Sequence, residues 1–184
     1  MLEESRFTAA SDQCPHPEYW HSADGDATEF EVSELVGAFV SALQPDVVVE
    51  TGTHLGHTAA TIGRALNANG HGRLTTFEPD PGRAESAVRR CAAWPVTVRI
   101  QSSTAEQWDG GPIGFAWFDS LLNLRVPEFW HYHRHMIAGR TIVGFHDTAD
   151  HHPLWPAVSM LESIGAVRLI RLPTPRGVVF AEVK

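Results

Sequence analysis

The sequence predicts an α/β protein built on a single doubly wound sheet, mostly parallel, with an antiparallel hairpin strand at its C-terminal end. Three observations carry that reading. Short apolar, β-branched runs alternate with segments in which apolar residues recur every three or four positions, the alternation of strands joined by crossover helices. The length, 184 residues, suits one domain around one core. The last two apolar runs, 167–172 and 178–183, are separated by a turn bearing Pro and Gly, as in neighbouring antiparallel strands.

The elements follow in order. Residues 1–27 are polar and irregular, interrupted by Pro15, Pro17, Tyr19 and Trp20. Thr28 and Glu31 have the spacing of a capping box. Helically spaced Val32, Leu35, Val36, Phe39, Val40 and Leu43 then run to Pro45. The run 46–50 is β-branched and reads as a strand buried on both faces. A helix from about His57 to Asn69 is closed by Gly70. A second strand spans 74–77, and Asp80-Pro81 opens the next helix with an acid at the cap and proline in the first turn. Strands are expected over 96–100, 113–118 and 141–145. Helices are expected through 129–137 and over 155–164, before the hairpin.

Composition narrows the function. The net charge is −8 and no Lys/Arg run occurs, which disfavours a phosphate backbone as partner. Cys14 and Cys91 have no nearby cysteine partner and read as free thiols of a reducing compartment. The acidic start, Met1 to Ser5, lacks the apolar core of a secretory signal. No apolar stretch approaches the ~20 residues of a membrane span. A cytoplasmic protein with neither nucleic-acid nor membrane partner is expected.

In doubly wound sheets ligands sit beyond the carboxyl ends of the strands, so the residues there matter most. After the first strand comes Glu50-Thr51-Gly52-Thr53-His54-Leu55-Gly56-His57-Thr58. Gly52 permits a tight turn and close ligand approach, and the following helix N-terminus offers N–H groups to an anion. Glu78 ends the second strand, 26 residues after Gly52, near the ~20-residue offset of a ribose-binding acid. Ser103 follows the third strand and forms a capping-box pattern with Glu106; its hydroxyl could equally meet a base edge. Asp119 ends the fourth strand, and His146-Asp147-Thr148 the fifth. Two carboxylates and an imidazole on one sheet edge can bind a hard divalent metal or serve as acid and base. Helix capping explains both aspartates as simply, and a ligand-free glycine turn explains Gly52 and Gly56. His131 and His135 share a helical face, but without a third ligand this reads as surface.

Taken together, the strand-end segments resemble class I S-adenosylmethionine-dependent methyltransferases. Residues 48–58 are similar to the E-x-G-x-x-x-G motif of the catechol O-methyltransferase-like group. The segments 74–80, 96–103, 118–119 and 146–148 resemble the later motifs of that group and of the macrocin-type methyltransferase and cephalosporin-hydroxylase group. The resemblance covers about residues 28–183 and implies a Rossmann-like sheet binding S-adenosylmethionine. It implies that Gly52, Thr53, Gly56 and Thr58 surround the methionine part of the cofactor, with Glu50 and His54 also among the cofactor-binding residues. Glu78 would bind ribose, Ser103 would lie near adenine, and Asp119 would face the cofactor amino group or a metal. Asp147 would be a metal ligand. The chain departs from the catechol-type pattern in placing Leu122 where the lysine base stands, and Ser120-Leu121-Leu122 after Asp119.

The expected reaction is methyl transfer to a small molecule, most readily at oxygen. His146 is the expected base, since its ordinary pKa is near neutrality, with Asp147 beside it. A Mg2+ or other divalent metal on Asp119 and Asp147 is the alternative means of activating a hydroxyl. A nicotinamide-dependent oxidoreductase and a non-catalytic cofactor-binding protein of the same fold stand as rival readings. Tyr19 and Trp20 are expected to cover the site as a lid, to form a homodimer contact, or simply to pack on the first helix.

Overall fold

A computed structural model describes residues 14–184 and, before them, the two-residue strand β1 (Ser5–Arg6). The remainder of the irregular segment expected before Cys14 lies outside the described residues. A 3-10 turn (Pro17–Tyr19) leads to β2 (His21–Ser22), which pairs antiparallel with β1. The main chain then alternates α1 (Phe30–Leu43), β3 (Val47–Thr51), α2 (His57–Asn69), β4 (Arg73–Phe77), α3 (Pro81–Cys91) and β5 (Val96–Arg99). It continues through β6 (Phe115–Phe118), α4 (Arg125–His133), β7 (Ile142–His146), α5 (Leu154–Ser163), β8 (Val167–Leu172) and β9 (Val178–Val183).

Seven strands form one sheet in the order β5-β4-β3-β6-β7-β9-β8. All neighbours are parallel except β9, which is antiparallel to both β7 and β8. This is the doubly wound, Rossmann-like sheet with its hairpin strand. The order reverses direction between β3 and β6, where two crossovers leave in opposite senses and open a crevice.

The strands are apolar on both faces because each face carries a core. Val48, Leu74, Phe115 and Trp117 pack beneath α1 and α2 with Val36, Val40, Ile62 and Leu66. Their sequence neighbours Val49, Ala116 and Phe118, and Phe77 three positions after Leu74, point the other way, into a cluster with Phe129, Tyr132, Val158 and Leu161 of α4 and α5. A period of two through continuous apolar runs thus fills two layers.

Several local expectations are corrected. Thr28 and Glu31 form no capping box: α1 starts at Phe30, the Thr28 hydroxyl donates to Asp119, and Glu31 accepts from the His21 N–H at 3.1 Å. No helix follows Ser103, whose hydroxyl donates to Glu128 instead of capping with Glu106. In both places a long-range polar partner outbids the local one. Strand β6 begins at Phe115, with Ile113 forming only an isolated bridge to Met136. Asp80 does cap α3, accepting the Arg83 N–H at 2.8 Å. Both cysteines are free and buried. Among the described residues, no helix is long and apolar enough to cross a membrane.

Candidate active site

The carboxyl ends of β3, β4, β6 and β7, with the loop after β5, surround a cavity of about 780 Å3 lined by Gly52, Glu78, Ser103, Asp119, Glu128 and Asp147, among others. Gly52 makes it possible. Its φ is +82°, and a Cβ there would run into the Asp119 carbonyl. Gly56, at φ +81°, brings the start of α2 so near α3 that a Cβ would lie 2.8 Å from the Ala87 Cα. Between them His54 adopts φ 50° and turns its N–H to Glu78 Oε2 at 2.8 Å. The Asp80 N–H holds Oε1 at 3.0 Å. Glu78 is therefore a buried carboxylate fixed by two backbone donors, with acceptor positions left for hydroxyls.

Glu50, Thr53 and Thr58 support this turn. Glu50 accepts the Thr76 hydroxyl at 2.5 Å, and Thr76 lies 2.5 Å from Thr53. Burial pushes the Glu50 pKa up; the Thr76 bond opposes this, and the charges of Asp119 and Glu78 add to the rise, leaving it at about 8. Thr58 bonds Ser33 at 2.9 Å. A second hollow of about 30 Å3, lined by Thr53, His54, His57 and Thr58, opens at the N-terminus of α2, where free N–H groups favour a carboxylate.

The other side of the cavity is a buried charge cluster. His146 has no exposed side-chain surface. Its Nδ1 lies 3.0 Å from Asp119 and its Nε2 2.6 Å from Glu29. Burial alone would push its pKa down, but Asp119, Asp147 and Glu29 outweigh this and hold it up at about 10. Arg125 reaches Asp147 at 2.7 Å and Asp119 at 3.0 Å, and also donates to the His146 carbonyl. Arg176 binds Asp147 at 2.5 Å and donates its N–H to Glu29 at 3.2 Å. Burial opposes ionisation of Asp119 and Asp147, yet His146 and Arg125 prevail and keep both below the usual carboxylate range. Three carboxylates thus face three cations.

This cluster bears on two expectations. His146 does not fit a general base: both ring nitrogens are engaged by carboxylates, and the ring carries its proton at neutral pH. A divalent metal does not fit either. Asp119, His146 and Asp147 do place ligand atoms within 4.8 Å of one another. Arg125 and Arg176 already neutralise those carboxylates, however, and a dication would stand beside three positive groups. His54 and His152 are the imidazoles that line the cavity; His152 has its Nε2 3.8 Å from Asp147 and without a hydrogen-bond partner. Burial pushes its pKa below the ordinary value, with Asp147 opposing and His151, Arg176 and His146 reinforcing.

The N-terminal segment reaches the site through Asp26, which lines the cavity, and through the Ala27 carbonyl, which accepts from Arg176 at 3.1 Å. Tyr19 is exposed and stacks on His16, while Trp20 packs against the core layer under α1. Sequence reasoning missed Glu29, Arg125, Glu128, His152 and Arg176. A charged residue inside the apolar pattern of a helix, as at Arg125 and Glu128, was the one available signal.

A family model described as a methyltransferase domain matches residues 49–148. No curated protein matches the sequence. Among solved structures, the O-methyltransferase TomG of Streptomyces achromogenes, crystallised with S-adenosylmethionine, superposes with a TM-score of 0.72 at 20% identity, covering 86% of this chain and 82% of its own. An O-methyltransferase of Bacillus cereus in complex with S-adenosylhomocysteine gives 0.73 at 16% identity, covering 88% and 84%. A methyltransferase from Geobacter sulfurreducens gives 0.70 at 15% identity, covering 83% and 78%.

Proposed function

Because the chain belongs to the methyltransferase-domain family, we propose that it is an S-adenosylmethionine-dependent enzyme methylating an oxygen of a small molecule. The observation that supports this best is the cavity over Gly52, edged by Glu78 with both oxygens pinned and acceptor positions spare. Family membership favours methyl transfer over the nicotinamide reading. The O-methyltransferases of similar fold, one bound to S-adenosylmethionine and one to its demethylated product, favour oxygen as the target.

When bound, S-adenosylmethionine supplies an activated methyl group on a sulfonium. The residues of this chain supply position and a proton acceptor. Glu78 would take the ribose hydroxyls. The N-terminus of α2, at His57 and Thr58, would take the cofactor carboxylate. The acceptor would enter beside Asp119, Asp147 and Arg125, and alignment there is worth much of the rate. His152 is the neutral imidazole at that end and is the group assigned to receive the acceptor's proton, in place of His146. No step is assigned to a metal.

Isothermal calorimetry with S-adenosylhomocysteine tests the cofactor reading. The wild type should bind it and should not bind NAD. Glu78→Ala should weaken binding by about 1–3 kcal/mol through lost charge-assisted hydrogen bonds. Tight NAD binding with no response to S-adenosylhomocysteine would overturn the assignment. Tritiated S-adenosylmethionine offered with a panel of phenols, alcohols and amines then sorts oxygen from nitrogen as the target.

A further inference from the structure

The loop between β7 and α5, residues 147–153, carries both Asp147 and His152, which line the cavity. It opens on a left-handed residue, Asp147 at φ 57°, a conformation that an L side chain keeps only when its surroundings hold it. The near half is fixed by the β8–β9 turn. The Thr148 N–H donates to the Gly177 carbonyl at 3.0 Å and the Ala149 N–H to the Arg176 carbonyl at 2.9 Å. Further on, the His152 N–H donates back to the Ala149 carbonyl at 2.9 Å.

One side chain of β8 reaches both halves of the loop. Val167 and Leu169 of that strand pack in the core that holds Val158 and Leu161 of α5, and the period of two puts Arg171 on the same face. There its guanidinium lies over the Trp155 ring, in the first turn of α5, 4.0 Å from the centroid. Its Nη2 donates to the Thr148 carbonyl at 2.7 Å and lies 2.6 Å from Asp150 Oδ1. Thr148 is fully buried, so its carbonyl needs a donor from the protein. His152 stands two residues after Asp150 and three before Trp155, bracketed by two of the three contacts. Arginine suits the position because its planar fork bonds acceptors at the edge while its face stacks on an indole.

We propose that Arg171 is a positioning residue for methyl transfer: by tying Thr148, Asp150 and Trp155 together it holds the His152 ring at the cavity beside Asp147. Arg171 itself lies outside the cavity lining, so it acts through the loop. This rests on the reading of His152 as the group that receives the acceptor's proton. It goes further in placing control of that group on β8, the outermost strand of the sheet. A base must stand within hydrogen-bond reach of the proton it takes, so a loop loosened by about 1 Å costs rate steeply.

The His152 ring reports its own position. In the wild type, burial, reinforced by His151, Arg176 and His146 and opposed by Asp147, sets its titration below the ordinary 6.5. NMR titration of the histidine ring C–H signals reads the midpoint, the His152 signal being identified by its loss in His152→Gln. Arg171→Met keeps an apolar chain over Trp155 but removes the donors to Thr148 and Asp150. The loop should loosen, the ring should gain water, and the midpoint should rise towards 6.5. Turnover of an acceptor from the panel should fall about tenfold or more in kcat, with the KM for S-adenosylmethionine little changed. A His152 midpoint that stays at the wild-type value in Arg171→Met overturns the proposal. Should Arg171→Met fail to fold, Arg171→Lys decides. It keeps a charge for Asp150 but cannot lie flat on the indole, so the midpoint should rise by a smaller amount; no rise again overturns the proposal. Full turnover by His152→Gln is a separate failure: it refutes the base reading and with it the catalytic purpose of the arrangement, whereas an unmoved midpoint refutes the positioning alone.

Discussion

At the residue scale the site depends on polar groups whose partners are far away in sequence. His146 shows how much this changes a residue's role. Its position after the fifth predicted strand was legible, and its ordinary pKa suggested a base. The Glu29 carboxylate, 117 residues away in sequence, was not legible as its partner. With Asp119 on the other nitrogen, the ring becomes the buried cation that ties α1 to the ends of β6 and β7. Removing one member of such a cluster leaves uncompensated charge in a dry setting. His146→Ala should therefore lower the unfolding free energy by about 3–5 kcal/mol in urea titration. A stably folded His146→Ala protein that loses turnover alone would return the ring to the role of base.

At the element scale, legibility followed periodicity. Both strands of the closing hairpin, 167–172 and 178–183, have the bounds expected from apolar runs and turn residues. The two capping boxes failed because Thr28 and Ser103 found carboxylates on other elements, which a local spacing rule cannot foresee. The turn from β3 to α2 was readable because glycine leaves a physical trace. Gly52 has a left-handed backbone, with the Asp119 carbonyl where a Cβ would stand. Gly52→Ala must move the β6 end away from the β3 end or abandon the turn. It should abolish S-adenosylhomocysteine binding by calorimetry and lower the thermal midpoint, the strain of positive φ adding about 1–2 kcal/mol to the clash. Normal binding by Gly52→Ala would show that the turn tolerates displacement and that Gly52 does not shape the cavity.

At the scale of the whole molecule, the buried titratable groups set how stability varies with pH. Glu50 has a folded pKa of about 8 against an ordinary 4.5, because burial favours its neutral form. Between those values the folded protein holds a proton that the unfolded chain has released, so stability falls as pH rises through that window. His146 has a folded pKa of about 10 against 6.5. Its contribution is complete below pH 6.5 and is lost as pH rises through 10. Asp119 and Asp147 act in the opposite sense. Their folded pKa values lie below 3.8, so their stabilisation is present above that value and disappears as pH falls through the folded values. These groups together place the stability maximum on the acidic side, above the aspartate window and at the foot of the Glu50 one. Urea midpoints measured from pH 3 to 10 should peak at about pH 4 to 4.5 and then decline. Glu50→Gln, which keeps the amide carbonyl as acceptor for Thr76, should remove the decline between about pH 4.5 and 6.5 and leave the loss due to His146 between about pH 6.5 and 10. If the Glu50→Gln profile parallels the wild type throughout, the alkaline loss belongs to His146 and the surface charges, and Glu50 is ionised in the folded protein.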